Sequence, residues 1–386
     1  MIIKGILVAL ALTLPMGSSG ATARPVPPPV DHYTALTVTV QQPPEPVVGA
    51  DGRKHLAYEL LMLNWQQFPA TVERIEVLSG DRVIADFRGA SLEAATSSIL
   101  AVPGRVVAPG TMHKAVLDVV LPRDARAPRT LEHRLTVTTE PELALFASPF
   151  RAARTPVSQR EPAVLVPPVH GPRWVHLTGC CTPDQHRTVL QGINGKLSLG
   201  QRFAYDISRL QPDGRYLDGP IDDVHSFAAY GEPLHAAADG TVISAIDGMP
   251  NQVPFQATEP GEPATVLGNS VIIDIGAGRF AAYAHMAPGS VRVAAGQRVR
   301  AGQVIGQIGN SGFTDAPHVH FQLMDGPSPL GSEGLPFVFR SFDSPGSVPP
   351  PDQIDPNQPV QIDPRNAGRH RMAIPMILQV VDYPVA

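Results

Sequence analysis

The run Ala316-Pro317-His318-Val319-His320-Phe321-Gln322-Leu323 decides the reading of this chain. Side chains along a β-strand alternate between its two faces. On that alternation His318, His320 and Gln322 share one face, while Val319, Phe321 and Leu323 share the other. Such a strand packs its apolar side into a core and presents two imidazoles on a rigid support. Neutral imidazole is a preferred zinc ligand, so one face of this strand can serve one metal centre. Two solvent-facing histidines on an edge strand would show the same spacing, so the surroundings have to decide.

Upstream, Asn269 to Ile275 reads as an apolar strand that turns at Gly276-Ala277-Gly278 and returns as Phe280 to His285. Pro233 to Val242 is strand-like and turns at Asp239-Gly240. Glycines at 296, 302, 306 and 309 punctuate further short strands, and the spacing predicts a compact antiparallel sheet. Two polar stretches, Ile207 to Tyr230 and Asp247 to Gly268, read as long loops suited to wall a substrate groove.

Ahead of this region the character differs. Leu36 to Val40, Leu56 to Asn64, Thr71 to Leu78, Ala115 to Leu121 and His133 to Thr139 read as short strands, separated by turns such as Gly49-Ala50-Asp51-Gly52 and Pro109-Gly110. The strand at Leu56 to Asn64 is apolar on both faces. This pattern predicts a β-sandwich. His55, His113 and His133 read as surface or satisfied side chains rather than ligands. The whole chain is therefore expected to be all-β: an N-terminal β-sandwich domain at 24–149, a Pro- and Arg-rich linker at 150–173, and a compact antiparallel β-sheet domain with long loops at 174–342. A Pro-rich tail at 343–386 would hold one last strand near Met376 to Val381.

Composition agrees. Of 386 residues, 43% are hydrophobic and 17% charged, which is globular rather than disordered. The 42 prolines favour short strands and turns over helices. A formal net charge of −5 and no long basic run exclude a nucleic-acid partner. Lys4, the apolar stretch Ile6 to Met16 and the Ala21-Thr22-Ala23 triplet read as a signal peptide over 1–23, with an uncleaved anchor as the alternative. No later segment is long and apolar enough to span a membrane, so the mature chain is expected to be exported, periplasmic or secreted. The adjacent Cys180 and Cys181 either close a vicinal disulfide, as an oxidising compartment would allow, or stay two inert thiols.

Residues 200 to 325 resemble the catalytic domain of the lysostaphin/LytM-type zinc metallopeptidases, which cut bacterial cell-wall peptides. The pieces that carry the resemblance are Arg202-Phe203-Ala204-Tyr205-Asp206, Ala238-Asp239-Gly240-Thr241-Val242, Tyr283-Ala284-His285-Met286, the hairpins at Gly296 and Gly302, Gly309-Asn310-Ser311-Gly312 and Pro317-His318-Val319-His320-Phe321. They cover about a third of the chain, in the family's order. The resemblance implies Zn2+ as cofactor, with Asp206 and His320 as ligands. It also implies that His318 and His285 act on the attacking water and the developing oxyanion. Peptidoglycan peptides would be the substrate, with Tyr283 in the substrate groove.

One position departs from the family. Its first ligand is a His four residues before the Asp, and here that residue is Arg202. A guanidinium stays protonated and cannot bind zinc. His186 is the first candidate for the missing ligand, with His225 and His235 as alternatives. Arg202 would then either pair with a substrate carboxylate or form a structural salt bridge. Two functions follow from these alternatives: an exported zinc endopeptidase of peptidoglycan, or a catalytically degenerate relative that binds the cell wall or activates a partner hydrolase. A lipoyl- or biotinyl-like carrier is a third, but no lysine sits between Val291 and Ile308 to carry the attachment.

Overall fold

The computed structural model describes residues 31–256 and 261–384. The signal peptide expected over 1–23 lies outside them.

Two sheets of five strands each make the N-terminal part. One contains Leu36–Val40, Arg53–Asn64, Met112–Pro122 and Thr96–Ser98, with Pro46–Val48 on its flank. The other contains Phe150–Pro156, Thr130–Thr139, Ala70–Ser79 and Arg82–Arg88, with Val106–Val107 beside it. Leu56, Tyr58, Leu60 and Leu117 from the first sheet meet Val72, Ile75, Val77 and Leu135 from the second in one hydrophobic cluster. Alternation would leave the odd positions of Arg53–Asn64 facing water. Instead His55, Ala57 and Glu59 are buried as well, because the C-terminal part covers them. Ala57, Val47 and Ala50 belong to the C-terminal core. A strand covered on both faces lacks the regular polar alternation of a half-exposed one, and the polar side chains it does bury, His55 and Glu59, are held by partners.

The C-terminal part is built on a sheet of eleven strands. At its centre lie Gly171–His176, Tyr205–Arg209, Val319–Met324, Arg279–Met286, Asn269–Gly276 and Gly240–Ile246, in that order and antiparallel throughout. Val319, Phe321 and Leu323 enter the core with Tyr205, Ile207 and Tyr283, as the alternation predicts.

Two boundaries need correction. Residues 150–173, expected as a linker, are structured: Phe150–Pro156 completes an N-terminal sheet, and Ala163–Leu165 joins the large sheet beside Phe337–Ser347. Residues 343–386, expected as a tail, also belong to that sheet through the end of Phe337–Ser347, Gly368–Ala373 and Gln379–Tyr383. Phe337, Phe339, Phe342 and Tyr383 pack edge to face in the core. The prolines that gave the segment its tail-like composition sit mostly in the return between those strands. There they break the ladder without removing the flanking residues from it.

Candidate metal centre

Strand pairing builds the site. Tyr205–Arg209 and Val319–Met324 run antiparallel with Asp206 directly opposite His320, and on the other side Ala284 of Arg279–Met286 lies opposite His320. Opposed residues on one face of an antiparallel pair have their Cβ atoms about 5 Å apart, so the register alone brings carboxylate and imidazole together. The Asp206 Oδ1 lies 3.0 Å from His320 Nδ1 and 3.2 Å from His318 Nε2, and its Oδ2 lies 3.2 Å from His186 Nε2.

His186 arrives from a separate element. It sits in the one-turn helix Gln185–Thr188, whose first turn is capped by the Asp184 side chain accepting from the Arg187 amide. The Nδ1 of His186 donates to the Ala204 carbonyl at 3.3 Å, which leaves Nε2 facing Asp206. His320 is oriented the other way round: its Nε2 donates to Gln322 Oε1 at 2.7 Å, and Gln322 is held in turn by its amide donating to the Pro329 carbonyl at 2.9 Å. His225 is exposed and bonded to Asp223, and His235 stacks on His170, so neither reaches the centre.

His285 reaches the centre by a break in alternation. A regular strand would send it to the same face as Tyr283, into the core. A register shift between Asn269 and Val271 on the partner strand, together with φ 61° at His285, turns its ring onto the other face. Its Nδ1 donates to the Ser311 carbonyl at 2.8 Å, and its ring lies 4.9 Å from that of His318, centroid to centroid. His318 likewise commits Nδ1 to the Ala316 carbonyl at 2.7 Å.

The donor set fits zinc. Bonds of about 2.0–2.2 Å at tetrahedral angles place ligand atoms about 3.4 Å apart. His186, Asp206 and His320 offer three ligand atoms all within 4.8 Å of one another, with His186 facing one Asp206 oxygen at 3.2 Å and His320 the other at 3.0 Å. Both histidines spend the other ring nitrogen on a neutral acceptor, the arrangement that fixes the tautomer in metal sites. The charges agree with a cation site. Burial would raise Asp206, but His186 and His318 hold it well below the usual carboxylate range. Burial would lower His186, but Asp206 outweighs it and pushes the ring up to about 9. Asp206 raises His318 against its burial too. His285 is held well below the usual imidazole range by burial, then by His318 and His320.

Two expected substrate residues do not belong to the site. Arg202 is buried, its Nε donating to Glu59 at 2.8 Å and its Nη2 to Glu333 at 2.9 Å, so it is a structural ion pair and not a carboxylate receptor. Tyr283 is fully buried. Its hydroxyl accepts from the Ala237 amide at 2.6 Å, and its ring packs on Phe321, so it supports the sheet from behind. Cys180 and Cys181 are buried just before the His186 helix, with their sulfurs joined. Gln322 is a functional neighbour that motif reasoning passed over, although its place on the His318/His320 face was visible in the alternation. A cleft of about 620 Å3 lined by Val348, Pro350, Ile377 and Leu378 shares no residue with the centre, so concavity alone would have pointed elsewhere.

Residues 223–331 match Peptidase family M23, a span that includes His285, His318 and His320 and begins after His186 and Asp206. The glycyl-glycine endopeptidase ALE-1 of Staphylococcus capitis is 50% identical over 42 residues, 11% of this chain and 11% of its own length. The peptidoglycan DD-endopeptidase ShyA of Vibrio cholerae is 27% identical over 132 residues, 34% of this chain and 26% of its own length. The chain thus matches about a quarter or less of the length of these curated relatives. Among solved structures, the catalytic domain of lysostaphin from Staphylococcus simulans is 24% identical with TM-score 0.22, covering 37% of this chain and 80% of that one. A zinc containing peptidase from Vibrio cholerae is 14% identical with TM-score 0.24, covering 73% of this chain and 56% of that one.

Proposed function

We propose, from the match of residues 223–331 to peptidase family M23, that the chain is an exported zinc metalloendopeptidase of the lysostaphin/LytM type that hydrolyses peptide bonds in peptidoglycan cross-links. The observation that carries the proposal is the convergence of five side chains, His186, Asp206, His285, His318 and His320, on one buried point. Each histidine has its outer nitrogen already anchored.

His186, Asp206 and His320 would hold the metal. When bound, zinc supplies Lewis acidity toward a peptide carbonyl and a hydrolytic water. The remaining work falls to His285 and His318. With Nδ1–H committed to a backbone carbonyl, each ring directs its Nε2 toward the centre. One such ring can take the proton of the attacking water, and a protonated ring can donate to the developing oxyanion. Their burial excludes bulk water, which strengthens both interactions.

The two curated relatives are named for different bonds, one as a glycyl-glycine endopeptidase and the other as a peptidoglycan DD-endopeptidase, and cleavage within a peptide is what the two names share. Export rests on Lys4, the apolar stretch and the Ala21-Thr22-Ala23 triplet. Among the described residues no helix is long and apolar enough to cross a membrane. Arg202 motivated the degenerate alternative, and the position of His186, 3.2 Å from Asp206, supports the active reading over it.

Elemental mass spectrometry of the purified protein, with hydrolysis of cell-wall fragments alongside, tests the proposal. Wild type is expected to carry about one zinc and to release peptide fragments, and His320→Ala to lose both. Wild type without zinc would overturn the metal reading, and zinc-loaded wild type without hydrolysis would overturn the enzyme.

A further inference from the structure

We propose that the N-terminal sheet is a working part of the metal centre, with Glu59 as its positioning residue. The inference rests on the zinc reading of His186, Asp206 and His320.

Glu59 lies in the middle of Arg53–Asn64, 1% exposed, on the face that meets the C-terminal part. One of its oxygens accepts from Arg187 at 3.1 Å and the other from Arg202 at 2.8 Å. These are two particular arginines. Arg187 is the residue next to His186, and Arg202 opens the segment that leads through Ala204 to Asp206. Glu59 therefore grips both segments that bring ligands from outside the His-x-His strand.

Local structure explains why a grip is needed. A helix of one turn has no stability of its own, since nucleation is unfavourable and nothing follows to repay it. The Gln185–Thr188 turn is held by its Asp184 cap and by Arg187. The Arg187 guanidinium donates to Glu59, to the Leu117 carbonyl at 3.1 Å and to the Cys181 carbonyl, so two of its anchors are N-terminal residues. The Ala204 carbonyl, which fixes the His186 tautomer, lies two residues from Arg202. Arg202 is clamped between Glu59 and Glu333, and Glu333 also accepts from Gln41 of the N-terminal part at 3.1 Å. The carboxylates of Glu59 and Glu333 and the guanidinium groups of Arg187 and Arg202 meet in a buried interface, with Lys196 4.0 Å from Glu333 at its edge. The planar fork of arginine meets several acceptors at fixed angles, which transmits orientation rather than mere attraction.

The test measures zinc affinity by chelator competition in the full chain, for wild type, Glu59→Gln and Glu76→Gln. Glu76 is equally a buried N-terminal glutamate, paired with Arg134 and remote from the centre, so its variant reports general loosening of that part. Outer-shell changes weaken metal binding by about 10–100-fold. Glu59→Gln is expected to lose zinc affinity in that range, with a weakened visible spectrum of the Co2+-substituted protein, while Glu76→Gln stays within about twofold of wild type on the same scale. If Glu59→Gln is recovered unfolded, Arg187→Lys decides the question: it keeps a charge near Glu59 but loses the forked contacts, and a tenfold loss of zinc affinity is expected. Unchanged affinity in the folded variant, or equal losses in Glu59→Gln and Glu76→Gln, overturns the proposal while leaving the zinc reading in place. Wild type that takes up no zinc overturns both.

Discussion

Two buried histidine–carboxylate clusters stand on either side of the domain interface, and they differ in one respect. In the N-terminal part His55 lies between Asp118, 2.9 Å from Nδ1, and Asp51, 3.1 Å from Nε2. His55, Asp118 and Cys181 even satisfy metal-ligand spacing. In the C-terminal part His186 and His320 surround Asp206 at similar distances. By spacing and burial both clusters could hold an ion. They part at the second ring nitrogen. His55 spends both nitrogens on carboxylates, so it is an imidazolium locked in two ion pairs, and the third donor, Cys181, is joined to its neighbour. His186 and His320 direct one nitrogen each to a neutral carbonyl and face the single carboxylate of Asp206 with the other, the nitrogen at which a metal would replace the proton. The hydrogen bond outside the cluster, more than the cluster itself, separates a ligand from a strut.

The largest effect expected from that comparison is on turnover. His318 touches the centre but is not needed to complete three ligands. His318→Ala should keep zinc near one per chain and lower kcat by about 10²–10⁴-fold, the usual worth of a positioned acid or base. Zinc content and single-turnover rates on one preparation check it. Loss of the metal in that variant would move His318 into the ligand set and erase the distinction.

The strut is tested by pH. Burial would lower His55, but Asp118 and then Asp51 outweigh it and raise the ring to about 9, above an ordinary value of 6.5. A group raised on folding adds stability that is complete below the unfolded value and is lost as pH climbs through the folded one. The stability that His55 adds over His55→Gln should therefore be largest near pH 6 and decline towards pH 9.5, by on the order of 3 kcal/mol. Denaturant titrations of both proteins, zinc-saturated at each pH, give that difference. A gap that does not change with pH would mean a neutral His55, and the two clusters would then be alike.

Much of this was legible in the chain, and what was hidden has identifiable causes. The His-x-His strand declared its faces because alternation is a local property. Asp206, His285 and His320 were readable through their motifs. His186 came first among three candidates only through the family resemblance, which pairs such a His-Arg with the Gln-Arg-Phe-Ala-x-Asp segment, and the residues alone left His225 and His235 open. The fate of Arg202 and Tyr283 was not readable: one depends on Glu59, 143 residues away, and the other on the Ala237 amide, 46 residues away. His285 follows a backbone twist that no residue pattern announces. Glu59 left a trace, a lone charge inside a strand apolar on both faces, which is the mark of a buried ion that must find a partner. The linker and tail misled because proline content reports the turns between strands and says nothing of the strands' partners.

The smallest expected effect isolates the outer hydrogen bond itself. Gln322 contributes no ligand, and its only action on the centre is to receive the Nε2 proton of His320 while its own amide is tied to Pro329. Gln322→Leu fills similar space and removes the acceptor. His320 is then free to rotate or change tautomer, and its Nδ1 lone pair is no longer held toward Asp206 and the metal. Zinc affinity should fall by about 10-fold, at the weak end of what outer-shell changes cost, while the fully loaded variant keeps most of its turnover, because neither His285 nor His318 has moved. Chelator competition and rate measurements at saturating zinc separate the two quantities. Unchanged affinity would show that strand register alone positions His320, and the outer hydrogen bond would lose its claim to distinguish the two clusters.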